Sequence, residues 1–209
     1  PVRDRLIADA RDAIAYLRAQ PGIDPARIYV LGHSEGGELV PSIAIADGKL
    51  RGIVLMAPPA LPLEKILMQQ VLRQVAPADR VETERAEDAA LKEIAAGKKT
   101  DPYSLWLRSS FGIDPAAIVA KVPCPILILQ GTKDVQVLAA DTPRLADAAR
   151  AAGRNVTVVL LPNDDHLFIT IPADQPSTIT EYFTPSYLDP ALFNAIDTWL
   201  SNVKKLPVS

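Results

Sequence analysis

The stretch Gly32-His33-Ser34-Glu35-Gly36 constrains this chain more than any other. It follows the apolar run Ile28-Tyr29-Val30-Leu31 and opens a helical pattern over residues 38–46. A G-x-S-x-G turn between a strand and a helix holds its serine on a sharp, strained bend, with the hydroxyl projecting above the sheet edge. Such a turn needs small flanking residues, so a Cβ at Gly32 or Gly36 is expected to collide with the neighbouring strand or helix. Amide N–H groups at the helix start favour developing negative charge beside that oxygen.

A nucleophilic serine needs a base, and the chain has only two histidines. His33 sits inside the motif and, if the turn forms, points away from its neighbour's reaction path. That leaves His166, just past the apolar run 156–161. Between serine and histidine, Gln130-Gly131-Thr132-Lys133-Asp134 follows Ile126-Leu127-Ile128-Leu129. Asp134 and His166 therefore both fall on loops at the C-terminal ends of strands. The order serine, aspartate, histidine is that of α/β-hydrolases and differs from the two protease orders. Asp164 and Asp165 adjoin the histidine, but they share its backbone and suit turn amides. Asp134 reaches the ring from a separate loop and is the preferred acid.

The segments LGHSEGG, GTKDVQV and DDHLF carry a resemblance to the α/β-hydrolase superfamily, close to bacterial carboxylesterases related to the serine aminopeptidase-like acyl hydrolases. The resemblance covers the C-terminal two-thirds of that fold, from Ile7 to about Leu200. It implies a mostly parallel sheet flanked by helices, with Ser34, Asp134 and His166 as the triad and the Glu35 amide as one oxyanion donor. The whole chain, 1–209, then reads as one partial hydrolase domain with a short helical cap inserted at about 61–115.

Four strands are expected, over 27–31, 51–56, 125–130 and 155–161, with helical crossovers between them. Leu6, Ile7, Ala10, Ile14 and Leu17 predict an amphipathic helix ahead of the first. In the resembled family about half of the sheet precedes that helix. The nucleophile strand, a mid-sheet strand there, is thus expected to be an apolar edge, which is an aggregation liability. The expectation is a fragment of a longer hydrolase, its sheet completed by a missing N-terminal segment or a second chain, or covered by domain swapping. The second oxyanion donor comes from a loop upstream in the fold. Losing one such donor costs on the order of 3 kcal/mol.

Within the cap region, Leu63, Ile66, Leu67, Val71 and Leu72 form one apolar helical face, and residues 79–97 predict a charged surface helix. Met68, Trp106, Leu107 and Phe111 either line an acyl or alcohol pocket or pack the cap onto the core. Residues 172–190 read as a surface loop. A last helix starts at Pro190 with Asp189 as its cap and Trp199 in its core face.

With 48% hydrophobic residues, the chain can bury a sizeable core. A net charge of −3 and a pI near 5.4 leave no footprint for nucleic acid. No apolar run reaches membrane-spanning length. Cys124, the single cysteine, excludes an internal disulfide and suits a small buried hydrophobe. No cluster has metal-ligand spacing, and the chemistry calls for no metal or cofactor. The expected partner is a small-molecule ester with a rather apolar acyl group. The alternatives are an aminopeptidase or acyltransferase on the same triad, the former marked by carboxylates in the cap, or a weakly active half-fold acting as an interaction module. Localisation is left open with cytoplasmic favoured slightly, since any N-terminal signal would lie outside these residues.

Overall fold

Residues 2–205 are described by a computed structural model, in which four parallel strands run in the order β1-β2-β3-β4. They are β1 (Tyr29–His33), β2 (Gly52–Met56), β3 (Ile126–Gly131) and β4 (Val156–Leu161). Leu31 pairs with Val54, Val54 with Leu127, and Leu127 with Thr157. Side chains alternate across a strand, so each apolar run feeds two cores. Ile53, Leu55, Ile126 and Ile128 face one side, while Val54, Leu127 and Leu129 face the other. This two-sided burial is why Ile126-Leu127-Ile128-Leu129 is continuously apolar. Among the described residues β1 pairs only with β2, and Leu31 on it is 50% exposed.

The first core is closed by helices α1 (Val2–Arg18), α2 (Glu35–Asp47), α6 (Pro115–Val119) and α7 (Thr142–Ala151). The second is closed by α8 (Pro190–Val203), whose Leu192, Trp199 and Val203 are buried against the sheet. Asp189 caps α8, its carboxylate accepting the Ala191 N–H at 2.8 Å. Residues 172–189 run over the surface with a short 3-10 turn at Ile179–Phe183. Three helices stand between β2 and α6: α3 (Leu63–Arg73), α4 (Arg80–Ala95) and α5 (Pro102–Ser110). Leu91 is the buried residue of α4, in keeping with its charged sequence.

Two local expectations change. Helix α2 begins at Glu35, ahead of the expected 38, although Gly36 and Gly37 are weak helix formers. The Glu38 N–H donates to the Ser34 carbonyl at 3.1 Å across both glycines, and a Cβ on Gly37 would come within 3.2 Å of the Gly32 carbonyl and Pro58. In α1 the apolar face is narrower than its periodicity predicts: Ile14 is buried, Ile7 and Ala10 pack against the core, and Leu6 and Leu17 are exposed. The buried Arg3 joins that face instead, bonding Glu38 at 2.9 Å and Ser42 Oγ at 3.0 Å on α2. Arg18 and Asp47 tie the other ends of the same helices with two bonds of 2.9 Å. Cys124 is buried, and burial pushes its thiol up to about 12.

Candidate active site

Ser34 stands between β1 and α2 with φ 55° and ψ −117°. A non-glycine residue at positive φ is strained and persists only where surrounding contacts hold it. The Ser34 N–H donates to the Met56 carbonyl at 2.9 Å, which ties the bend to β2. A Cβ on Gly32 would lie 2.3 Å from the Gly36 carbonyl oxygen and 2.7 Å from Val40 Cγ2. That close approach makes Gly32 obligatory. Gly36 differs from the expectation, because a Cβ there meets nothing within 4 Å. Its backbone, not its missing side chain, is what Gly32 must clear.

The loops after β3 and β4 are laced together beneath Ser34. Gly131 packs so closely that a Cβ would fall 2.4 Å from the Asp164 carbonyl oxygen. The Lys133 N–H donates to that same carbonyl at 2.8 Å, and Thr132 Oγ1 accepts from the Asn163 N–H at 2.8 Å. Lys133 Nζ also bonds the Ala173 and Gln175 carbonyls at 3.1 and 2.7 Å, fastening the segment beyond His166. Asp165 does what the sequence reading assigned it, its Oδ1 accepting the Leu167 and Ile169 amides at 2.8 and 2.9 Å. Asp164 accepts from Thr170 Oγ1 at 2.9 Å. Burial raises its pKa, and Asp189 and Asp165 add to the rise.

This lacing brings Asp134, His166 and Ser34 into one line. His166 Nδ1 lies 2.8 Å from Asp134 Oδ2, and His166 Nε2 lies 3.0 Å from Ser34 Oγ. Asp134 and His166 are each 3% exposed. Asp134 is fully engaged: Oδ1 accepts the Gln136 and Val137 amides at 2.8 Å each, and Oδ2 also accepts Gln130 Nε2 at 2.9 Å. Gln130 is buried at the end of β3 and went unnoticed in the sequence, although a polar residue closing an apolar strand was a usable signal.

His33 is the other residue that sequence reasoning missed. It lies outside the Ser34 cleft, as expected, but it reaches the loop of the base. Its Nε2 lies 2.8 Å from the His166 carbonyl oxygen, and the two rings are 4.8 Å apart. The turn that lifts Ser34 also carries the end of β1 towards the His166 loop. Burial lowers the His33 pKa, and the neighbouring His166 ring adds to the lowering.

Ser34 opens into a cleft of about 340 Å³. Leu63, Ile66 and Leu67 of α3, Trp106 of α5, and Ile113 and Val137 supply its apolar walls. Glu35, first residue of α2, directs its amide into the helix N-terminus, where backbone donors lack intrahelical acceptors. Its carboxylate accepts the Trp106 indole N–H, which fastens α5 to the bend. Of the four pocket candidates, Trp106 alone lines this cleft. Met68 and Phe111 line a separate cavity of about 470 Å³ between α3 and α4. Met68 is one residue, about 100°, around α3 from Leu67 and so faces away. Leu107 is buried, its face of α5 turned to the interior. The cap carboxylates Glu64, Glu84 and Asp88 line the separate cavity, not the Ser34 cleft.

Among the described residues no group of three His, Cys, Asp or Glu is placed to hold a metal, and no helix is long and apolar enough to cross a membrane.

A family described as the alpha/beta hydrolase fold matches residues 5–170. Esterase EstD of Thermotoga maritima is 31% identical over 212 residues, spanning 95% of this chain and 48% of the relative. The chain thus spans about half the length of that curated relative. A Klebsiella pneumoniae protein described as a dienelactone hydrolase superposes with a TM-score of 0.59 at 17% identity, covering 98% of this chain and 62% of the other. The Pyrococcus furiosus esterase Pf2001 superposes with a TM-score of 0.53 at 15% identity, covering 97% and 60%. At such identities these two structures speak for the fold.

Proposed function

Because the chain belongs to the α/β-hydrolase fold family, we propose that it is an esterase-type serine hydrolase acting on carboxylic esters of small apolar acyl groups. The observation that carries this reading is the unbroken relay from Ser34 Oγ through the His166 ring to Asp134. The 31% identity to an esterase supports it.

Asp134 Oδ2 can only accept, so it fixes the hydrogen of neutral His166 on Nδ1 and leaves Nε2 free as the base. His166 Nε2 takes the Ser34 proton as Oγ bonds to the ester carbonyl carbon. The resulting oxyanion is stabilised by the Glu35 N–H at the positive end of the 13-residue helix α2. The carbon–oxygen bond to the leaving alcohol then breaks, the alcohol takes the proton from His166, and an acyl-Ser34 ester remains. Water gives a proton to His166 Nε2 as its oxygen attacks that ester. The carboxylic acid departs and Ser34 regains its hydrogen.

The apolar walls receive the acyl group. A cleft of about 340 Å³ lies at the small end of the roughly 300–1,000 Å³ common for ligand sites, hence the preference for short acyl chains.

The test is a fluorophosphonate added to the purified chain, followed by intact mass and peptide mapping. One adduct on Ser34, lost in His166→Ala, is expected, with p-nitrophenyl acetate and butyrate hydrolysed faster than the decanoate. No adduct on Ser34, or an adduct indifferent to His166, would overturn the reading.

A further inference from the structure

His33 ends β1 one residue before Ser34, yet its imidazole meets the backbone of a residue 133 positions away. The contact runs from Nε2 to the His166 carbonyl at 2.8 Å. A carbonyl only accepts, so His33 Nε2 carries the hydrogen. The ring is held from two sides, by the His166 ring at 4.8 Å and by Phe168, edge-on, at 6.1 Å.

The loop it touches is a tight turn, closed by the Asp165 N–H on the Ile169 carbonyl at 3.0 Å and the Ile171 N–H on the Asn163 carbonyl at 2.9 Å. Asn163 and Phe168, on either side of His166, both sit at positive φ, 63° and 60°. Asp134 holds the His166 side chain at Nδ1, while the Leu167 and Phe168 amides turn to Asp165 and leave the His166 carbonyl itself to another donor. The His33 bond supplies a second point. Because β1 carries both His33 and Ser34, the strand that presents the nucleophile also grips the base.

We propose that His33 is a positioning residue, whose Nε2–H holds the His166 backbone and thereby sets the reach of the base to Ser34. This rests on the reading of His166 as the base. A shift of 1 Å in a reacting group can cost about 100-fold in rate, so a hold on the backbone matters even where no bond to substrate is made. Burial supports the arrangement by favouring neutral His33, which keeps a second positive charge away from the imidazolium formed on His166.

The test compares His33→Ala, which removes the donor, with His33→Gln, whose side-chain amide sits near Nε2 and can still donate. The readouts are the rate of fluorophosphonate addition to Ser34, the low-field N–H proton resonance of His166, and the thermal midpoint. We expect His33→Ala to label about 100-fold more slowly, with that resonance broadened or lost. His33→Gln should recover most of the rate and the resonance.

Equal rates in the parent and His33→Ala would overturn the proposal. So would a His33→Gln variant as slow as His33→Ala with an unchanged midpoint. Should His33→Ala not fold, His33→Asn, with an amide too short to reach the carbonyl, takes its place with the same expected loss. If the parent chain itself gives no adduct, the base reading fails, and His33 is judged on the resonances. His33→Gln and His33→Ala both leave His166 as the single histidine and both lack the neighbouring ring 4.8 Å away, so its ring signals are compared between the two and should differ. Identical His166 signals in the two variants would overturn the positioning role by itself.

Discussion

Replacing Asp134 with asparagine changes the hydrogen-bond logic of the site while barely changing its shape. Oδ1 of Asp134 faces two backbone N–H donors, from Gln136 and Val137, each at 2.8 Å. The asparagine oxygen must therefore take the Oδ1 position, since an NH2 there would confront both donors. That puts the NH2 at the Oδ2 position, 2.8 Å from His166 Nδ1 and 2.9 Å from Gln130 Nε2. An NH2 facing Nδ1 makes that nitrogen an acceptor and drives the ring hydrogen to Nε2. The base then points a hydrogen at Ser34 and cannot take another. A wrong-tautomer triad loses about 10⁴ in rate, equivalent to about 5.5 kcal/mol. Stability falls as well, because Gln130 and the introduced amide would present donors to each other in a buried site. Turning Gln130 over would satisfy its oxygen but forfeit the bond to the Val137 carbonyl at 3.1 Å. Either outcome costs about 1–3 kcal/mol, at roughly 2–4 °C of thermal midpoint per kcal/mol. The assay is the second-order rate of fluorophosphonate addition to Ser34 at neutral pH, beside a thermal melt on the same preparation. A variant that labels within tenfold of the parent refutes the tautomer argument.

Two further predictions follow from the local geometry. Gly32→Ala drives a methyl into the Gly36 carbonyl and should cost about 3 kcal/mol in a urea titration, whereas Gly36→Ala, with open space around it, should stay within about 1 kcal/mol of the parent. The reverse ranking would mean that the bend is held differently. Asp164→Asn keeps the acceptor for Thr170 and removes a carboxylate whose pKa is raised by burial and by Asp189 and Asp165. A raised carboxyl pKa makes the ionised form unfavourable above the folded value and has no such cost in acid, below the unfolded value of about 3.9. The variant should thus gain in urea midpoint at pH 7, and the gain should vanish as the pH falls towards the unfolded value. An equal difference at both ends of that range would refute the assignment.

The sequence alone determined what depends on neighbours along the chain. Alternating and continuous apolar runs marked all four strands to within about two residues, because strand burial is written in local period. The placing of Ser34, Asp134 and His166 on turns after β1, β3 and β4 was legible for the same reason, as was the Asp189-Pro190 start of α8. Tertiary structure decided everything that required knowing which surface meets which. Periodicity put Leu63, Ile66 and Leu67 on one face of α3, but the packing of α4 against the other face decided that Met68 belongs to a different cavity. Arg3 carries no local mark of its burial, which comes from Glu38 and Ser42 meeting it across α2. Gln130 and His33 gained their roles from loops 4 and 133 residues away. A side chain's direction at a strand end is set by the turn that follows and the loop packed on it, and a contact spanning 133 residues leaves no local periodicity to read.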